Sequence, residues 1–477
     1  PARLGSMLSC RRRASLPAPG RYSGRIPEWH TETRTDIKTV LQQAVGAGPP
    51  HAACGDEGVR RPYKEVIDVF QGDLHRAGMK PLTFVRQVLA ACVYPPLINS
   101  SNLPLDVRQR AQEELGRCVG GSVGEGNVCG LMTWKKMKML VVQDPQGGNI
   151  LNVLVNREAS PRTGVLIPVP CHNKTVLSIT QLGAVAVPYY LSEEQGWALQ
   201  VEELQRALES AKGVCNPVAL YVINPGNPAG YVQSQKSVLE VIRFAWEKRL
   251  FLLVDELYQD RVYGENCEFV SYKRAVSEMG PPFSGTVELA SFHSVSKGFS
   301  GEYVCGLRAG YVELVNLDPA VMKYIHTLFS KDACSPVLGQ IALDLMTDPP
   351  KPGDPSYLLY KQIRTVLLHS VKKVHEVVNS LPGFSCPPIE GGLFAFPRLH
   401  LTPKAIQKEL GLQPDTFYCT RLLEEGGVFT GPGWEYGQKE GTYHIRYNTS
   451  RALFKDIMEE LLRRLSSFHM TFMKDFS

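Results

Sequence analysis

The sequence predicts an α/β fold: a mostly parallel sheet covered by helices, followed by a smaller α+β region. Three strands that are apolar throughout alternate with helices between residues 217 and 314. Continuously apolar strands indicate a sheet buried on both faces, and alternation with helices indicates parallel strands. After residue 330 the pattern changes to long amphipathic helices and breaker-rich connections, which favours a second, smaller region.

Each predicted strand ends in a polar segment. Residues 218–223 lead into the loop NPGNPAG (224–230), 250–254 into Asp255 and Tyr258, and 287–292 into the segment HSVSK. A helix capped by Ser234 or Ser237 follows the first loop. In open parallel sheets ligands bind at the carboxyl ends of the strands, so these segments mark the candidate site.

The remaining elements are predicted from periodicity and breakers. Residues 82–93 and 105–115 have helical spacing, whereas 127–163 show no clear period. A proline-rich connection at 349–355 precedes a long helix, and another helix ends the chain. Four regions are predicted. Residues 1–60 form a basic segment that is a targeting sequence or disordered, and residues 61–120 form an N-terminal part that packs with the small domain. Residues 121–330 form the large domain, within which 127–160 are divergent, and residues 331–477 form the small domain.

Composition excludes several classes of protein. The 477 residues are 43% hydrophobic and 21% charged, which is ordinary globular composition. A net charge of +5 is too mild for a nucleic-acid binder, and no apolar run reaches the ~18–20 residues of a membrane span. The twelve cysteines form no C-x-x-C pair, so we expect no zinc module, no bound metal and mostly buried free thiols.

The first 27 residues contain six arginines and no acidic residue. This composition is typical of an amphipathic import segment, and it fits an unstructured basic tail or a mistaken gene start equally well. The expected compartment is therefore the mitochondrial matrix or the cytoplasm, with the arginines favouring the first.

The chain lacks the sequence motifs of several other enzyme classes: it has no G-x-S-x-G, no H-E-x-x-H and no P-loop. A set of polar residues at strand ends and in the small region remains. Each has an ordinary structural alternative: a solvated lysine, a helix-capping aspartate, a turn asparagine or a surface arginine. The set comprises Asn227, Asp255, Tyr258, Lys297, Arg308 and Arg446.

Several separated motifs carry these residues. They are INPGNPAG (223–230), FLLVDELYQD (251–260), LASFHSVSKGF (289–299), GLRAGYVEL (306–314), LLEEGG (422–427) and EGTYHIR (440–446). On these motifs the chain resembles the class I pyridoxal-phosphate aminotransferases, and within them most the alanine aminotransferases. The resemblance covers most of 62–126 and 161–470.

The resemblance implies a fold-type-I homodimer, and the composition predicts neither membrane nor nucleic-acid partners. The resemblance also implies exchange of an amino group between L-alanine and 2-oxoglutarate, giving pyruvate and L-glutamate through a Schiff base of pyridoxal 5′-phosphate. It assigns Lys297 the Schiff base and proton transfer, Asp255 the pyridine nitrogen, and Asn227 and Tyr258 the phenolic oxygen. It assigns binding of the cofactor phosphate to Arg308, Ser294 and Ser296, and stacking on the cofactor ring to His172. Arg446 is expected to bind the substrate carboxylate, with Asn227 as a second substrate-binding residue.

The chain departs from the family pattern in residues 120–160 and at His172. The glycine/serine loop that donates to the cofactor phosphate is not recognisable there, nor is the tyrosine that reaches the neighbouring subunit, and His172 stands in place of an aromatic tyrosine. Two explanations fit this change: the chain is a diverged homologue with an impaired phosphate site, or residues 127–160 come from a misread exon. The good match that resumes at Arg162 favours the misread exon. Another transaminase or a lyase of the same class is the alternative within enzymes.

Overall fold

The computed structural model describes residues 62–70, 83–123, 139–142, 148–295, 309–331, 336–407, 413–449 and 455–477. Within these ranges the strands are β1 Ile67–Asp68, β2 Met139–Val142, β3 Arg162–Val169, β4 Val185–Tyr190, β5 Cys215–Ile223, β6 Phe251–Asp255, β7 Leu289–Ser294, β8 Gly310–Val315, β9 Phe384–Ser385, β10 Phe394–Ala395, β11 Arg398–Leu399, β12 Val428–Phe429, β13 Gly431–Pro432 and β14 Tyr443–Asn448.

The helices fall where periodicity predicts them, with more between the strands. They are α1 Thr83–Val93, α2 Leu105–Arg117, α3 Gly148–Leu154, α4 Asn173–Gln181, α5 Val201–Ser210, α6 Gln235–Lys248, α7 Tyr272–Glu278, α8 Phe283–Thr286, α9 Pro319–Lys331, α10 Val337–Thr347, α11 Tyr357–Ser380, α12 Pro403–Gln407, α13 Pro414–Gly426 and α14 Lys455–Asp475. Of the two candidate caps for α6, Ser234 is the one that accepts a backbone N–H.

Seven strands form the main sheet in the order β2-β8-β7-β6-β5-β3-β4. Strands β3 to β7 pair in parallel with one another, and β8 runs antiparallel to both β7 and β2. The prediction of a mostly parallel sheet is confirmed. Strand β2 lies inside the stretch for which no period was found, so it was missed.

Both faces of this sheet are covered, which explains why its strands lack alternation. Along β6, Leu252 and Val254 pack with α5, α6 and α7 on one face. Leu253 points to the other face, where it packs with α3, α4 and α9. The carboxyl ends of β5, β6 and β7 are therefore held at one edge by two hydrophobic cores.

A second, antiparallel sheet follows in the order β10-β14-β11-β9, with β13 also paired to β14. Helices α11, α13 and α14 pack around it through buried side chains such as Val374, Leu422 and Leu465. The short strand β1 pairs in parallel with β12 and ties the start of the described chain to this region.

Helices α1 and α2 pack against α10. The N-terminal part thus contacts residues on the C-terminal side of 331 through α10 and through β1. The domain boundaries themselves stay a prediction. In the described ranges, no helix combines the length and apolar character needed to cross a membrane. The described cysteines are free, and all but Cys267 are buried, as expected.

Candidate active site

The loop after β5 and the end of β6 are joined at the carboxyl edge of the main sheet. Asn224 donates its backbone N–H to the carbonyl of Asp255 at 3.0 Å. In the same register, Ile223 pairs with Asp255 across the two strands. The two sequence motifs predicted to share one edge are therefore in contact there.

The carboxylate of Asp255 is held on both oxygens. Oδ1 accepts the backbone N–H of Leu257 at 3.1 Å, which forms a tight turn after β6. Oδ2 accepts the hydroxyl of Tyr221, also at 3.1 Å. Asp255 is half-buried, so the side chain is fixed at the sheet edge and partly withdrawn from water.

Asn227 lies in the loop after β5 and has unused hydrogen-bonding capacity. Its Oδ1 is buried and has no hydrogen-bond partner among the described residues. The loop is anchored at Gly230, whose carbonyl accepts the N–H groups of Glu390 and Gly391, both at 2.8 Å. Gly230 has φ of +70°, and a Cβ there would lie 2.9 Å from the carbonyl oxygen of Phe394, so glycine is required.

Tyr258 stands three residues beyond Asp255 and is 2% exposed. Its ring packs edge-on against Phe394 of β10, with 6.3 Å between ring centres. Since Phe394 belongs to the second sheet, this contact brings that sheet against the edge of the first.

Arg446 is buried on β14, which pairs on both sides and so is not an edge strand. Its guanidinium carbon lies 4.2 Å from the ring centre of Phe394, 4.5 Å from that of Tyr436 and 4.9 Å from that of Phe70. Nη2 donates to the carbonyl of Phe70 at 3.2 Å, and Nε is buried with no partner in the described ranges. The side chain is thus a cation held in an aromatic cage formed by Phe70, Phe394 and Tyr436.

Burial shapes the electrostatics of this cage. It lowers the pKa of Arg446, although the nearby tyrosines oppose the shift. Burial also raises the pKa of Tyr436, so its hydroxyl stays protonated at neutral pH. The carboxylate of Glu435 also raises the pKa of Arg446, but within the described residues no carboxylate forms an ion pair with the guanidinium. The guanidinium can therefore accept an anion from outside the chain.

His172 joins the same group of side chains. Its Nδ1 accepts the N–H of Lys174 at 3.1 Å and so caps α4. Its ring packs edge-on against Tyr436 at 5.8 Å, and the carbonyl of Tyr436 accepts the N–H of Cys171 at 2.7 Å. The structure gives His172 a capping role beside the cage, and its predicted stacking on a cofactor stays a prediction.

Three predicted residues lie outside the described ranges: Ser296, Lys297 and Arg308. Ser294 ends β7, is buried, and donates its hydroxyl to the carbonyl of Ala309 at 3.3 Å. Through Phe394 and Tyr436 the structure connects Tyr258, Arg446 and His172. Asn227 and Asp255 lie in the two segments that the Asn224–Asp255 hydrogen bond joins.

Sequence reasoning missed Tyr221 and the three rings of the cage. Tyr221 lies in an apolar strand, where a tyrosine is ordinarily a core residue. The cage residues come from three distant segments, and Phe70 is 376 residues away from Arg446. Tyr436 carried the one available signal, since it lies in the glycine-rich stretch GPGWEYG just before EGTYHIR.

Comparison with known proteins places the chain in a family. A family model described as "Aminotransferase class I and II" matches residues 139–465. Human alanine aminotransferase 1 is 44% identical over 447 residues, covering 88% of this chain and 89% of the relative. Glutamate–glyoxylate aminotransferase 1 of Arabidopsis thaliana is 36% identical, covering 88% of this chain and 92% of the relative.

Solved structures agree in fold. Tyrosine aminotransferase from Leishmania infantum matches with a TM-score of 0.65 at 18% identity, covering 94% of this chain and 99% of that one. Alanine aminotransferase from Pyrococcus furiosus matches with a TM-score of 0.63 at 17% identity, covering 92% and 97%. At these identities the likeness concerns the fold alone. With the family match and the curated relatives, the conclusion is that the chain belongs to the class I and II aminotransferases.

Proposed function

We propose that this chain transfers an amino group between L-alanine and 2-oxoglutarate, giving pyruvate and L-glutamate. Class I aminotransferases act on amino acids and 2-oxo acids and depend on pyridoxal 5′-phosphate. The alanine aminotransferases among the curated relatives, at 41–44% identity, support the substrate pair. The observation that carries the proposal is the caged guanidinium of Arg446.

A buried cation without a carboxylate partner is costly unless something compensates it. The cage supplies cation–π contacts and one carbonyl acceptor, and the buried Nε of Arg446 has no hydrogen-bond partner among the described residues. A substrate carboxylate would pair with the planar fork of donors and restore the missing charge balance. Both the amino acid and the 2-oxo acid carry such a carboxylate, so one arginine serves both halves of the exchange.

The residues at the sheet edge fit the cofactor. The family's cofactor has a ring nitrogen, a phenolic oxygen and a phosphate that need partners. Asp255 offers a fixed carboxylate at the strand end. The amide of Asn227 keeps a buried Oδ1 without a partner among the described residues, and Tyr258 is buried three residues beyond Asp255. These three groups match the nitrogen and the phenolic oxygen.

Each residue then has a distinct task in the proposed reaction. When bound, pyridoxal phosphate supplies the electron sink that lets an amino group leave one carbon and join another. Lys297 holds the cofactor through its amine and moves the proton at the substrate's α-carbon. Asp255 keeps a proton on the ring nitrogen, and Asn227 and Tyr258 orient the phenolic oxygen. Contacts to the phosphate and the ring face are assigned in the same proposal to Ser294, Ser296, Arg308 and His172.

The substrate pair is tested by steady-state assays with a panel of donors and acceptors at saturating pyridoxal phosphate. We expect L-alanine with 2-oxoglutarate to give the highest kcat/KM. Glyoxylate is included because the Arabidopsis relative is named for it. Preference for another pair would reject the alanine assignment and leave the family membership intact.

Assembly and compartment are further proposals. Class I aminotransferases are typically dimers, and we propose a homodimer; sedimentation should report twice the chain mass of 52.9 kDa. A monomer with full activity would contradict this.

For the compartment we propose the mitochondrial matrix, with the cytoplasm as the alternative. Fluorescent fusions with and without residues 1–60 decide between them.

A further inference from the structure

Tyr221 is a buried tyrosine whose hydroxyl contacts a candidate cofactor residue. It lies on β5, which is flanked by β3 and β6, and is 6% exposed. Its hydroxyl donates to Oδ2 of Asp255 at 3.1 Å. The two side chains lie on the same face of the sheet because Ile223, two residues beyond Tyr221, pairs with Asp255 in register.

The hydrogen bonds around Tyr221 treat its backbone and its phenol separately. The hydroxyl of Tyr189 on β4 donates to the backbone carbonyl of Tyr221 at 2.8 Å, so this bond is to the strand and not to the phenol. The phenol itself is buried, and its hydroxyl donates to Oδ2 of Asp255.

We propose that Tyr221 is a positioning residue for Asp255: its hydroxyl stabilises the ionised carboxylate and fixes its rotation toward the cofactor's ring nitrogen. This inference rests on the proposed function, because it presumes that Asp255 serves that nitrogen. A hydrogen bond to an ionised acceptor is roughly twice as strong as a neutral one, and it restricts rotation of the carboxylate. A rotated or neutral carboxyl would hold a proton on the ring nitrogen less well.

The chemistry of the surrounding groups supports donation by Tyr221. Burial, followed by the charge of Asp255, raises the pKa of Tyr221 well above its ordinary value, so the phenol keeps its proton at neutral pH. Among the described residues, the other titratable groups in electrostatic contact with the pair are Tyr189, Tyr231 and Cys171, and burial raises the pKa of all three. None of the three carries charge at neutral pH, and of these groups Tyr221 is the one whose hydroxyl donates to the carboxylate.

The test compares the affinity of the full chain for pyridoxal 5′-phosphate and for its 1-deaza analogue, in which carbon replaces the ring nitrogen. The analogue cannot pair with Asp255. We expect the wild-type chain to prefer the natural cofactor, and Tyr221→Phe to reduce this preference about tenfold. A merely structural role of Tyr221 would weaken both ligands equally and leave the preference unchanged, which would overturn the proposal.

Tyr189→Phe is the matched control, because it removes a buried tyrosine hydroxyl that donates to a neutral carbonyl in the same sheet. It should keep the wild-type preference; an equal loss in this variant would overturn the proposal. A wild-type chain that shows no preference at all would instead refute the role of Asp255 and so the proposed function.

A double variant keeps the test decisive if Tyr221→Phe does not fold. The combination with Asp255→Asn removes the charge that the phenol is proposed to stabilise. We expect the double variant to fold, and Tyr221→Phe to have no further effect on ligand preference in the Asp255→Asn background. A double variant that also fails to fold would show that Tyr221 supports the fold directly and would refute a role through Asp255.

Discussion

The guanidinium of Arg446 lies 4.2 Å from the ring centre of Phe394. Arg446 and Phe394 are on neighbouring strands of the second sheet, and the same Phe394 ring packs against Tyr258 at the edge of the first sheet. One aromatic side chain thus separates the candidate carboxylate-binding arginine from the candidate cofactor site. This contact explains how two sheets distant in sequence can build one active site.

Arg446→Lys should weaken alanine binding and leave cofactor binding intact. Lysine keeps the positive charge but loses the planar fork of donors. Loss of one charge-assisted bond is worth ~1.5–3 kcal/mol, so alanine affinity should fall about tenfold to a hundredfold. The measurement is amino-acid titration of the bound cofactor's visible absorption.

The matched control is Arg398→Lys, since Arg398 lies on β11 of the same sheet and pairs with Glu193 at 3.3 Å. We expect wild-type alanine affinity in this control. Unchanged affinity in Arg446→Lys would exclude Arg446 as the carboxylate site.

Glu256 should make stability depend on pH. Burial raises the pKa of Glu256 from 4.5 to about 7, against the opposing effect of hydrogen bonds from Ser291, Tyr272 and Ser271. Between these two pH values the folded chain holds a proton that the unfolded chain has released. The free energy of unfolding therefore decreases as pH rises through this window.

Glu256→Gln removes this titration, and its amide can donate to the hydroxyls of Ser291 and Ser271. At pH 8 the variant should be more stable than wild type by up to about 3 kcal/mol, with little difference near pH 4.5. Urea unfolding at several pH values measures this, with the exposed Glu247→Gln on α6 as control. An advantage that does not change with pH would contradict the prediction.

The chain should bind its cofactor weakly. The phosphate-binding loop and the partner tyrosine are not recognisable in residues 120–160, and each lost charge-assisted bond costs ~1.5–3 kcal/mol. Two losses weaken binding by a factor of about a thousand. Equilibrium dialysis should show this against a chimera whose residues 127–160 are replaced by the family-typical segment. Equal cofactor affinity of the natural chain and the chimera would contradict the hypothesis that the chain is an impaired homologue.

Lys297 should carry the cofactor. It follows β7 through the segment HSVSK, and its attachment can be trapped by borohydride reduction and located by peptide mapping. The pyridoxyl group is expected on the peptide that contains Lys297. Label on another lysine, in protein saturated with cofactor, would refute the assignment.

Much of the fold followed from local patterns. Continuously apolar strands, a serine cap at Ser234 and helical spacing are short-range signals, and each matches the structure. Strand β2 is not predicted from the sequence, because a strand of four residues at the edge of a sheet is too short to show a clear hydrophobic pattern. The antiparallel course of β8 depends on its pairing with β7, which periodicity does not encode.

The candidate site was predictable where a motif carries it and not where long-range packing does. Asp255 and Tyr258 follow directly from the end of β6. The cage around Arg446 needs Phe70, Phe394 and Tyr436 to meet from separate elements, and an apolar side chain gives no sign of its partner. The hydrogen bond from Tyr221 to Asp255 is likewise a product of strand register.

The proposed reaction moves an amino group from alanine to 2-oxoglutarate by way of the cofactor. The most direct measurement uses ¹⁵N-labelled L-alanine with cofactor-loaded protein, first alone and then with 2-oxoglutarate, followed by NMR. We predict one equivalent of pyruvate per site from alanine alone, and ¹⁵N-glutamate once 2-oxoglutarate is added. Release of free ¹⁵N-ammonia without labelled glutamate would identify a lyase and contradict amino-group transfer by this chain.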